Sequence, residues 1–192
     1  MSGFEVRGYM ISTTAEYLQQ AAKKRNLKDV LEQASPQLRQ TLAEVKHAGW
    51  YPVSIVSELN RIIVARLGED NEDLARKELQ DCGRFMAHEA TNTFLRLLMR
   101  MLTPTLFAKK LPDLWKRDCN SGRLDVNVDA EKKTLTCRLM QMDGYDHLAA
   151  VIPGYVSFAM EAMGKPVTSA VVDGWSINQP NANGATLTVT WD

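Results

Sequence analysis

Charge of either sign is in balance here: 23 lysines and arginines stand against 23 aspartates and glutamates. Without a basic excess there is no electrostatic footprint for nucleic acid or for an anionic membrane, and neither is expected as a partner. No apolar run reaches the roughly 18 residues of a transmembrane helix. The first residues, MSGFEVRGYM, lack an apolar signal core, so a cytoplasmic protein is expected. Cysteine is scarce, odd in number and widely spaced, as Cys82, Cys119 and Cys137. That fits reduced thiols and excludes a disulfide framework. The histidines, His47, His88 and His147, fall in three separate segments. His88-Glu89-Ala90-Thr91 lacks the second histidine of a zinc-protease helix, and Cys82 and His88 do not share a helix face at one-turn spacing. No metal site is expected. A phosphate-binding loop and a Gly-x-Ser-x-Gly elbow are also missing. Asp143-Gly144, Asp173-Gly174 and Asn183-Gly184 read as turns. These absences argue against an enzyme.

What is present is an ordinary globular composition, 45% hydrophobic and 24% charged over 192 residues. That length suggests a single domain over 1–192. The expected class is α+β: a mostly helical half over 1–118, then a β-β-α-β-β half over 119–192 whose antiparallel sheet is covered by helices. The most informative stretch runs from Val151 to Trp191. Leu148, Ile152, Tyr155, Ala159 and Ala162 recur at helical spacing, with Gly154, Ser157 and Glu161 as a polar stripe and Gly164 as the stop. Pro153 is placed in the first turn or at a kink. Val167, Val171 and Val172 suit a strand. Ala185, Leu187, Val189 and Trp191 alternate with threonines in a half-buried partner strand. Upstream, Leu124, Val126 and Val128 form a strand, and Leu135, Cys137 and Leu139 share one face of the next.

In the first half, Phe4 to Ile11 reads as a strand that could extend the C-terminal sheet. Ser12 to Thr14 cap a helix over Ala15–Lys24, with Glu16 partnering Thr13. Short helices follow at Leu27–Gln33 and from Ser35-Pro36 to Val45. Trp50-Tyr51-Pro52 lead into a core helix over Val53–Leu67. After Gly68, Asp70 caps a long helix to Met101, about 31 residues and roughly 45 Å, in which Gly83 marks a bend or a close helix crossing. Thr105 to Arg117 is helical, interrupted by Pro112.

Several stretches carry a resemblance: GYMISTTAEYL, WYPVSIVSEL, CGRFMAHEATNTFLRLL, KLPDLWKR, IPGYVSFAMEAMG and TLTVTW. Over nearly its whole length the chain is similar to an uncharacterised family abundant in myxobacteria. More distantly it resembles the superfamily that joins vinyl-reductase-type small-molecule-binding domains, haem–nitric-oxide-binding domains and TRAPP trafficking subunits. The departures are specific. The last hairpin, Val167 to Asp192, holds none of the metal-binding cysteines of the vinyl-reductase type. Phe158 stands where that helix often has a second glycine. Tyr155 and Ser157 match the first positions of the Tyr-x-Ser-x-Arg motif of the haem branch, but Ala159 stands in place of its arginine. No cofactor is therefore expected, haem included.

The resemblance implies a non-enzymatic sensor-type domain with an apolar pocket for a small hydrophobic molecule or a fatty acyl chain, acting through a partner protein. The expected lining is Cys82, Phe85, Met86, Trp115, Tyr155 and Phe158. Cys82 lies on a helix comparable to the one that carries a fatty acyl chain in some TRAPP subunits, although no specific motif marks it for that modification. The competing reading is a protein-assembly module like a TRAPP subunit, with no small ligand and a homodimer through the sheet edge or the long helix.

Overall fold

The computed structural model describes residues 3–69, 71–91 and 99–192. The main sheet is antiparallel, with β3 (Arg123–Asp129), β4 (Thr134–Met140), β6 (Thr186–Trp191) and β5 (Val167–Asp173) side by side in that order. The order follows from the hairpins: β3 turns into β4, β5 turns into β6, and β6 docks on β4 with Cys137 opposite Leu187. Strict alternation sends Leu135, Cys137 and Leu139 of β4 and Leu187, Val189 and Trp191 of β6 to one face, all buried. The threonines of β6 take the other face.

Helix α6 (Leu148–Ala162) covers the buried face. Helix α4 (Glu72–Glu89) packs on the far side of α6, and α1 (Gly8–Lys24) and α3 (Val53–Leu67) pack on α4. Helix α5 (Pro104–Asp118) lies along β3, and α2 (Pro36–Glu44) against α3. This is the α+β arrangement expected, with the helical half before the β-β-α-β-β half.

The N-terminal strand departs from expectation. β1 is only Glu5–Arg7 and does not join the main sheet; it pairs with β2 (Trp50–Pro52), Val6 opposite Tyr51. Helix α1 begins directly at Gly8, so Ser12, Thr13 and Thr14 lie inside it rather than capping it. Their hydroxyls bond back one turn, Thr13 to the Tyr9 carbonyl and Thr14 to that of Met10, each at 2.7 Å. The tertiary demand to bury Met10 and Ile11 overrides the capping signal. Leu27–Gln33 forms turns, not a helix, with Asn26 and Asp29 in the left-handed region. Helices α2 and α3 stand where they were predicted, and the Ser35 hydroxyl accepts from the Leu38 amide. The long helix is shorter than expected. α4 is capped by Asn71, whose side chain accepts from the Leu74 amide, and it stops at Glu89, for about 27 Å. Met101 lies in a turn and is 80% exposed. Asp70, Thr93 and Leu97 lie outside the described residues.

The predicted polar stripe of α6 also has another meaning. Gly154 and Ser157 are both buried, and at Gly154 α4 crosses in backbone contact. A Cβ on Gly154 would lie 1.8 Å from the Gln80 carbonyl oxygen, and one on Gly83 2.0 Å from that of Val151. Gly83 is thus a crossing point. Only Glu161 of the stripe faces solvent, where it takes two hydrogen bonds from Arg84 at 2.5 and 2.9 Å. Pro153 sits past the first turn, inside α6.

Helix α6 starts from an unusual residue. His147 adopts φ 60° and donates its amide to the Pro180 carbonyl at 2.7 Å. The connection before it is stitched to α3: Ser57 donates to the Gly144 carbonyl, Asn60 to the Asp146 carbonyl and Arg61 to the Asp146 carboxylate. The His147 ring is buried edge-on to Trp175, and neither His147 Nδ1 nor Trp175 Nε1 has a hydrogen-bond partner among the described residues. Burial, with a smaller contribution from the Arg61 charge, lowers the His147 pKa to about 4, against a weaker opposing pull from Asp146. The unfolded chain therefore binds a proton near pH 6.5 that the folded chain refuses until about pH 4. Stability is held above pH 6.5 and lost as pH falls toward 4, by about 2 kcal/mol. Urea titrations at pH 7 and pH 4.5 should show that loss, reduced in His147→Asn, which tolerates the left-handed backbone and cannot titrate.

Candidate functional site

The two halves of the chain meet around an apolar cavity of about 80 Å³. Its wall comes from α1 (Tyr9, Met10), α4 (Met86), α5 (Leu111, Leu114, Trp115, Asp118), β3 and β4 (Leu124, Cys137), and α6 (Leu148, Val151, Ile152, Tyr155, Val156). Cys119 and Tyr145 complete it. Some wall residues are inward by their own periodicity: Cys137 by strand alternation, and Leu148, Val151, Ile152, Tyr155 and Val156 by the helical stripe.

Trp115 and Tyr145 form one end, with Phe4 packed against both. Phe4 meets Tyr145 edge-on at 5.9 Å and Trp115 at 6.4 Å, while Trp115 and Tyr145 are 6.4 Å apart. Trp115 is fixed by donating its indole N–H to the Ser121 carbonyl at 2.8 Å.

The other end is polar. Asp118 is buried and accepts from the Tyr9 hydroxyl at 2.8 Å and from Arg117 at 2.8 and 2.7 Å. Burial and the neighbouring Asp118 carboxylate push the Tyr9 hydroxyl far above the ordinary phenol range. The same pair, Tyr9 and Asp118, borders an open surface groove that also contains Arg7, His47 and Arg117. It therefore forms the partition between the cavity and solvent.

The expected site residues divide into three groups. Met86, Trp115 and Tyr155 line the cavity. Phe85 and Phe158 do not; they border an open groove on the other side of α4, between Tyr17, Arg25, Glu78, Arg84, His88 and Glu161. Phe158 there lies edge-on to His88 at 5.9 Å. Cys82 and Met86 share one face of α4, a turn apart and both beside Thr14, but only Met86 reaches the cavity wall, and Phe85 lies around the helix from them. Cys82 is wholly buried beside Thr14 of α1, off the cavity wall. Burial raises its thiol pKa, and that of Cys137, to about 12, and raises that of Cys119 further. All three are thiols at neutral pH and weak nucleophiles. Sequence reasoning missed Tyr9, Asp118, Cys119 and Tyr145. Tyr9 falls in the segment that reads as a strand and Tyr145 directly after the Asp143-Gly144 turn, and neither context signals that they converge.

No protein family matches the sequence, and no curated protein is significantly similar to it. Solved structures do match. A crystal structure of an H-NOX protein from S. oneidensis in the Fe(II)NO ligation state superposes with a TM-score of 0.67 and 11% identity, covering 97% of this chain and 99% of that one. The Fe(II) unliganded H-NOX protein from K. algicida gives 0.67 and 11%, over 97% and 96%. A mutant of the T. Tengcongensis H-NOX gives 0.57 and 10%, over 93% and 95%. At such identities the likeness is one of fold, and the conclusion is structural: this chain is built on the fold of the H-NOX domains.

Proposed function

We propose that the chain is a non-enzymatic sensor domain whose cavity takes a small, largely apolar molecule and whose state is read by a separate protein. The observation that carries this is the 80 Å³ cavity at the junction of α1, α4, α5, α6 and the sheet. A ligand there touches both halves of the chain, so occupancy can alter how they pack. The H-NOX fold supports a ligand-binding reading by analogy.

The cofactor of the iron-containing neighbours does not fit these residues. Pockets for ligands the size of a drug or macrocycle are about 300–1,000 Å³, several times this cavity. Among the described residues no histidine lines it: His47 borders the groove outside the Tyr9–Asp118 partition, His88 ends α4 on the far groove, and His147 faces Trp175. Buried Ala159 occupies the position of the haem motif's arginine. A long fatty acyl chain is too large for the same reason. The expected ligand narrows to one of a few heavy atoms. The protonated thiols and the compensated Asp118 leave no activated nucleophile on the wall, which supports a non-enzymatic reading.

Xenon is the direct probe, because dry apolar cavities take it up. Under xenon pressure, amide NMR signals of α6 and β4 should shift saturably. Val156→Phe, which fills the cavity at a packing cost of about 1–3 kcal/mol, should abolish the shifts while leaving a folded spectrum. Unchanged wild-type signals would overturn the proposal. Native mass spectrometry of gently purified protein would then weigh any bound ligand, and a ligand-free dimer would instead favour an assembly module.

A further inference from the structure

Apart from the paired Tyr9 and Asp118 at its polar end, the cavity carries two side-chain hydroxyls to which the described residues give no partner. Tyr145 is 1% exposed and lies on the wall. Its hydroxyl has no hydrogen-bond partner among the described residues; burial raises its pKa well above the phenol range, followed by the fields of Cys119, Tyr9 and Cys82. Tyr155, also on the wall, is the second. Its hydroxyl feels the Asp118 charge but makes no hydrogen bond to it; that carboxylate accepts from Tyr9 and Arg117. Neither hydroxyl is among the sealed polar atoms that lack a partner, which are His147 Nδ1 and Trp175 Nε1 among the described residues, so each still faces the cavity space, where a ligand or water can answer it. Tyr9 shows the contrast: on the same wall, its hydroxyl is fully engaged.

Resting on the sensor reading above, we propose that the ligand is a short-chain molecule with an apolar body and a single oxygen, of the alcohol or ketone class. That oxygen accepts a hydrogen bond from the Tyr145 hydroxyl, with Tyr155 as the second donor. The apolar body lies against Leu148, Val151 and Cys137, where the wall offers only carbon and sulfur. The cavity volume limits the body to a few carbons. Charged ligands are excluded, because the only formal charge at the wall among the described residues, Asp118, is already paired with Arg117 from the outer groove.

The test uses 1-butanol and n-pentane, which differ in a terminal hydroxyl or methyl, titrated by amide NMR into the full chain and into Tyr145→Phe. The substitution keeps the ring and removes an unpartnered hydroxyl, so it should fold. Tyr145→Phe is expected to weaken 1-butanol binding about tenfold, the size of one net hydrogen bond. Its n-pentane and xenon binding should stay within about twofold of wild type. Tyr155→Phe should act in the same direction by a smaller factor. A preference between 1-butanol and n-pentane that does not change in Tyr145→Phe would overturn the proposal, as would failure of 1-butanol to bind wild type while xenon binds. The second result would identify water as the natural partner of the hydroxyls. If xenon itself fails to bind wild type, the sensor reading falls, and this inference with it.

Discussion

Gly154→Ala should leave little or no folded protein. The substitution adds one methyl group, but α4 already lies where it would go: 1.8 Å from Cβ to the Gln80 carbonyl oxygen and 2.9 Å to the Arg84 amide nitrogen. Neither is a flexible side-chain end that could swing aside. The helices must separate or shift along each other, and everything between α4 and the sheet follows. The expected loss exceeds about 4 kcal/mol, in the range reserved for a few severe mechanisms, against a total stability of about 5–15 kcal/mol. Gly83→Ala meets the Val151 carbonyl at 2.0 Å and should be as damaging. The control is Gly164→Ala, just past the end of α6. Gly164 has φ 75°, and its Cβ would meet nothing within 4 Å. It should cost only about 1 kcal/mol, the backbone penalty of the left-handed region. Denaturant melts of the three variants settle the ranking. If Gly154→Ala lies within about 1 kcal/mol of Gly164→Ala, the crossing is looser than described.

The second large effect is expected at Arg25. Glu78 of α4 is 4% exposed, yet it carries a carboxylate. Arg25, just past the end of α1, pairs with it and also donates to the Leu67 carbonyl at 2.8 Å. Tyr17 donates to the other carboxylate oxygen at 2.9 Å. One arginine thus joins the ends of α1 and α3 to the middle of α4. Arg25→Ala strands the carboxylate with Tyr17 alone and should cost about 3 kcal/mol, toward the lower end for broken buried pairs because Arg25 is itself partly exposed. In a chain of this length that lowers Tm by about 6–12 °C. The double variant Arg25→Met with Glu78→Leu should recover much of the loss, since removing both partners leaves no stranded charge. A double variant no more stable than Arg25→Ala would mean that packing, not the ion pair, holds this corner.

The sequence made visible those features that one segment decides alone. Helix α3 was legible because Val53 to Leu67 keeps its apolar period without a breaker, and the sheet because β3, β4 and β6 alternate cleanly. Features that depend on distant segments were not. Phe4 to Ile11 is β-prone, but its pairing partner is Trp50–Pro52, and from Gly8 the core requires a helix. Gly154 looks polar in a linear stripe, yet with Gly83 it is the small residue that lets α4 approach. The cavity was half legible for the same reason. Met86, Trp115 and Tyr155 sit on regular apolar stripes. Tyr9, Asp118 and Tyr145 become neighbours only when the start of α1, the end of α5 and the loop before α6 converge.

The strand order has a consequence for how the chain reaches this fold. β6 lies between β4 and β5, although it follows both in sequence. While a nascent chain has emerged only through β5, β4 and β5 have no neighbour between them, and the buried faces of β4 and α6 have an incomplete partner. The hydrogen-bonded centre of the sheet is thus the last part to be supplied during synthesis, and the sheet closes in one late step rather than growing strand by strand. Until residues 186–191 clear the ribosome, the apolar faces of Leu135, Cys137 and Leu139 need shelter from other chains.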